Sequence, residues 1–68
     1  MGHYYEKSDL AKREALGIRG RFGFDVWEQW FVLPPHKREN FLVSQGVPEE
    51  RAPLVSEYIA IILIKEGI

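Results

Sequence analysis

Arg19 and Arg21 alternate with Gly20 and precede Phe22, Gly23 and Phe24, the one mixture in this chain that suits a chemistry of recognition. Guanidinium groups meet phosphates, aromatic rings stack on bases, and a glycine-rich backbone offers N–H groups to an anion. Arg19, Arg21, Phe22 and Phe24 are therefore the candidate contacts to a nucleic acid or another anion. Bond-making chemistry has far less to work with. There is no cysteine, and with only His3 and His36 a nucleophilic pair would have to join Ser8, Ser44 or Ser56 to His36. Glu49 and Glu50 are adjacent, which on a helix splays them about 100° apart and does not pair them as acid and base; they read as favourable charges near a helix start. Met1-Gly2-His3 could chelate copper or nickel through its terminal amine, but Gly2 favours removal of Met1. His36, between Pro35 and Lys37, reads as a surface residue in a helix's first turn. Two histidines and no cysteine do not furnish a structural zinc site. No catalytic residue, metal ligand or cofactor site follows, and a non-enzymatic protein is expected.

Two stretches of the chain have the outline of nucleic-acid-binding patterns. Arg21-Phe22-Gly23-Phe24-Asp25-Val26-Trp27 resembles the aromatic strand motif of RNA recognition motifs over those seven residues, but it lacks the glycine of that motif between Arg21 and Phe22, and the chain is too short for that fold. Pro35 to Gln45, a turn at Gly46-Val47 and a following helix have the outline of a helix-turn-helix. Its second helix would lead with Glu49 and Glu50 beside a single Arg51, and so would repel the phosphates that supply most of the affinity.

The stronger signal is apolar excess at the end of the chain. From Pro53 to Glu66, Leu54, Val55, Tyr58, Ile59 and Ile62 follow the spacing of one helix face, whereas Ile61-Ile62-Leu63-Ile64 wraps most of the way round the axis. The expected core face is Leu54, Val55, Tyr58, Ile59 and Ile62. Ile61, Leu63, Ile64 and Ile68 are then surplus, free to meet another protein or a second copy of this one. Trp27, Trp30 and Phe31 share a helix face that reads first as core. Tryptophans also dominate binding hot spots, so these three join the candidate interface.

Length sharpens that expectation. A chain of 68 residues buries only about 60% of the surface its unfolded form exposes, and no disulfide can supplement the core, so dense aromatic packing or self-association must. The net charge of −1 conceals a polarity. Residues 7–21 hold five basic and two acidic side chains, while residues 25–66 hold four basic and seven acidic ones. Such asymmetry steers an acidic partner to the first third, or sets two copies head to tail. The apolar run Tyr58–Ile64 falls far short of the roughly 20 residues that span a bilayer, no secretory signal is visible, and Glu6 breaks a myristoylation pattern. A cytoplasmic protein without membrane contact is the expectation, with another protein or a homodimer as partner and nucleic acid as the alternative.

Four helices must position these residues. Residues 1–7 read as a flexible lead-in to a single helical domain over 8–68. Ser8 is placed to cap a helix over 8–16 that Gly17 stops, and the glycines make 17–24 a loop. Asp25 with Glu28 forms a capping-box pattern for a helix over 25–33, ended by Pro34. Pro35 opens a third helix over 35–45 that Gly46 closes; if it closes a Schellman motif, Val47 touches Leu42. Pro53 starts the last helix, 53–66. A strand at Tyr58–Ile64 would have no comparable run to pair with. The fold class is an all-α bundle of four short helices.

Overall fold

In the computed structural model, which describes the backbone of residues 2–67 and the side chains of 8–67, four α-helices follow one another. They are α1 (Gly2–Arg19), α2 (Phe24–Phe31), α3 (Pro35–Ser44) and α4 (Ala52–Lys65), with one 3-10 turn at Glu49–Arg51 ahead of α4. There is no strand among the described residues. The expected bundle is the observed one, and the differences lie at the ends of elements.

The largest difference is in α1. It spans Gly2–Arg19, so Ser8 is not its cap and residues 2–7 do not form a separate lead-in. Ser8 lies mid-helix, with its hydroxyl 3.0 Å from the Tyr58 hydroxyl on α4. Gly17 does not stop the helix either. A glycine in a helix interior costs about 1 kcal/mol relative to alanine, but the next residue, Ile18, is buried in the core and holds the last turn in place. Ala11 and Ala15 lie seven and three residues before it on the same stripe, both fully buried, and their small side chains let α4 lie close against α1.

The second helix opens at Phe24 with Gly23 as its N-cap in extended backbone, and no side chain caps it. The Asp25–Glu28 capping box is therefore not formed; Asp25 sits inside the first turn, where its charge still suits the helix dipole. Opening one residue early places the Phe24 ring against the Arg19 guanidinium, 4.9 Å from its centroid. Helix α2 ends at Phe31, two residues before the expected boundary and three before Pro34.

Pro35 begins α3 as expected, and Gly46 ends it in the predicted motif. The Val47 amide donates to the Leu42 carbonyl at 3.1 Å and the Gly46 amide to the Val43 carbonyl at 3.0 Å, with Gly46 at φ +101°. This is the Schellman pair of bonds, and it delivers Val47 and Leu42 into the same core.

Helix α4 lies against both α1 and α3, so its buried arc is centred differently from the expected face. Ala52, Val55, Ser56, Ile59 and Leu63 are buried, while Leu54, Tyr58 and Ile62 are only half-buried. The 55, 59, 63 stripe points to the centre, and the expected stripe forms its edge.

The core is finished by aromatic rings. Trp27, fully buried, meets Phe22, Trp30 and Phe41 edge to face at centroid distances of 5.8, 5.3 and 6.0 Å. Both indole N–H groups are satisfied by backbone: Trp27 donates to the Arg19 carbonyl and Trp30 to the Arg38 carbonyl, each at 3.1 Å. A buried tryptophan without such a partner would carry the cost of a stranded donor.

The two kinds of glycine give opposite predictions. A Cβ at Gly17 meets nothing within 4 Å and the backbone is helical, so Gly17→Ala should raise stability by about 1 kcal/mol. Gly46→Ala must hold a side chain at φ +101° and should lower stability by at least about 1 kcal/mol. Urea midpoints of the two variants, read by tryptophan fluorescence, check both signs.

Candidate functional site

The Arg/Gly/Phe segment is a clamp in this structure. The Arg19 side chain, only 16% exposed, donates to the Glu66 carboxylate at 2.7 Å and to the Phe22 carbonyl at 3.2 Å, while its guanidinium covers Phe24. Arg21 donates to the Gln45 carbonyl at 3.0 Å, supplying a partner to the backbone where α3 ends. Phe22 is half-buried against Trp27 and Phe41. The four residues expected to reach a nucleic acid thus spend these contacts on joining α1, α2, α3 and the end of α4. Phe24 keeps an exposed edge, but its ring face is taken by Arg19.

The aromatic face of α2 is likewise turned inward. Trp27 and Trp30 are buried in the core, not presented on the surface, and Phe31 is half-buried beside Trp30 and the Arg38 guanidinium. Sequence reasoning placed them on one face correctly and left open which way it points. Leu63 is a further correction. Expected in the apolar surplus, it is fully buried. Ile68 lies outside the described residues.

Ile61 and Ile64 remain on the surface, 47% and 62% exposed, and α1 adds a residue that the sequence did not single out: Leu16, 62% exposed. Leu16 and Ile61 border one open groove of about 240 Å³ between α1 and α4, together with Tyr58, Ile62, Lys12 and Lys65. The groove is apolar within and basic at its rim. Lys12 lies over the Tyr58 ring, its Nζ 5.7 Å from the centroid, so its stem covers part of the apolar wall while the charge stays in water. The signal for Leu16 is the i+4 step from Lys12 along the α1 edge that faces Tyr58. It becomes visible only once α4 is known to lie against α1.

A second crevice, about 280 Å³, opens between the end of α1 and the end of α3, bordered by Arg13, Glu14, Gly17, Arg21, Gly46 and Val47. Arg51 forms a two-pronged ion pair with Glu14 at its edge, 2.8 and 3.1 Å, and these bonds raise the Arg51 guanidinium above its ordinary pKa. Two helix C-termini converge here and present carbonyl oxygens, one of which, that of Gln45, accepts from Arg21. Among the described residues, no three His, Asp or Glu side chains converge as metal ligands would, and no helix is long and apolar enough to cross a membrane.

The assignment of Leu63 to the core and Ile61 to the surface separates two substitutions two residues apart. Leu63→Ala should cost about 2–5 kcal/mol and Ile61→Ala less than about 1 kcal/mol, measured as the shift in chemical-denaturation free energy. Equal losses would mean that the phase of α4 is wrong. Comparison with protein-family models, with curated proteins and with solved structures finds no match for this chain.

Proposed function

We propose that the chain is a small, non-enzymatic protein-binding module that works through the α1/α4 face, including association with itself. The observation that carries this reading is the placement of Leu16, Ile61 and Ile64. Leu16 and Ile61 are left in water on the walls of one groove, and Ile64 is exposed one turn further along the same helix, in a chain that otherwise buries its tryptophans and the leucine at position 63. Each costs free energy in proportion to the apolar area it exposes, about 25 cal/mol per Å², and covering them together recovers that cost. Single exposed aliphatics are common, but two of them lining a concave surface with charges only at the rim, and a third beside it, have the anatomy of a docking site.

The aromatic face of α2 has no part in this role because it is core. The Arg/Gly/Phe segment is left out of this reading, since Arg19, Arg21 and Phe22 make contacts between helices. The charges at the groove rim, Lys12 and Lys65, contribute orientation more than affinity, as exposed charges do.

A photo-crosslinking amino acid placed at position 64 should trap protein when the chain is irradiated in cells, and the yield should collapse when Ile61→Asp is added. The same probe at Val32, which is 82% exposed where α2 ends and does not border the groove, serves as the control and should trap little. Equal trapping at 64 and 32, or trapping at 64 that Ile61→Asp does not change, would remove the α1/α4 face from this role.

A further inference from the structure

We infer that the occupant of this face is a second copy of the chain, lying antiparallel about Ile61, with Glu57 of each copy against Lys65 of the other; this rests on the protein-binding reading above. Glu57, Ile61 and Lys65 are spaced four residues apart, so they form a single ridge along α4, and all three are exposed. The ridge is apolar at its middle, acidic at its N-terminal end and basic at its C-terminal end. A two-fold axis through Ile61 reverses it onto itself. Ile61 meets Ile61 on the axis, and each Glu57 comes opposite a Lys65.

Ridges of this i±4 kind interdigitate in the commonest class of helix packing, and a two-fold contact needs a patch complementary to itself, which this charge order supplies. A parallel arrangement would set glutamate against glutamate and lysine against lysine. The same axis keeps like sides together: Ile64 of both copies on one side of Ile61, and the groove walls carrying Leu16 on the other. Glu66, the other acidic side chain at this end, is already held by Arg19 and does not compete for Lys65. An acidic helix from a different protein would satisfy Lys12 and Lys65 but leave Glu57 facing like charge. One helix face with a groove wall is at the low end of the ~800 Å² per partner of standard interfaces, so the association is reversible and depends on concentration.

The test uses two charge reversals at exposed positions, each checked for native ellipticity. In sedimentation equilibrium the full chain should pass from one-chain to two-chain mass as its concentration rises. Glu57→Lys alone sets lysines against lysines and Lys65→Glu alone sets glutamates against glutamates; each should weaken self-association by about tenfold or more. Mixed in equal amounts, the two variants carry complementary ridges and should regain the two-chain mass. A wild-type chain that stays at one-chain mass up to millimolar concentration overturns the inference. So does a wild-type dimer that the single reversals leave intact, or variants that stay apart on mixing. If position 64 meanwhile crosslinks a different protein, this inference fails while the protein-binding reading stands.

Discussion

The rest of the structure hangs on the burial of Trp27. Its ring meets rings from the loop before it, from its own helix and from α3, and its indole N–H reaches back to the Arg19 carbonyl at the end of α1. One side chain thereby fixes where α1 ends, how the chain turns into α2 and where α3 lies against both. A tryptophan buries about 200 Å², worth roughly 5 kcal/mol as an upper bound from area. That is comparable with the whole net stability of a small domain. In a chain of 68 residues without a disulfide, the dense aromatic cluster is the supplement the core requires.

The arginines follow from that arrangement. Bringing the ends of α1 and α3 together concentrates carbonyl oxygens that have no helical partner, and Arg21 and Arg19 donate to two of the carbonyls in this region, those of Gln45 and Phe22. Arg19 then reaches Glu66 and ties the last turn of α4 to the same place. An arrangement that reads in sequence as positive charge beside stacking rings is, in three dimensions, a set of joints. The glycines divide by the same logic: Gly46 supplies the left-handed backbone of a helix stop, whereas Gly17 sits in ordinary helix with open space beyond its Cα.

Packing on two sides of α4 decides what is left for a partner. Because α1 and α3 both rest on it, the buried stripe runs through Val55, Ile59 and Leu63, and the apolar run Ile61–Ile64 is divided: Ile62 is half-buried, Leu63 fully, and Ile61 and Ile64 stay in water. The candidate surface is thus the remainder of a helix that has too few neighbours to cover it. Leu16 extends that remainder onto α1 and turns a stripe into a groove.

The chain's own residues determined the helices, the stop at Gly46 with its bond from Val47 to Leu42, and the existence of an apolar surplus in the last helix, because these depend on local backbone preferences and on counting apolar side chains against the arc of one helix. Tertiary structure decided the continuation of α1 through Gly17, the inward turn of Trp27 and Trp30, the burial of Leu63 in place of a face through Leu54, Tyr58 and Ile62, and the commitment of Arg19 and Arg21 to backbone carbonyls. Each of these depends on which neighbour lies beside a helix. Periodicity gives the angle between side chains and not the direction from which the neighbour approaches. That direction separates the side chains that build the core from those left exposed to meet a partner.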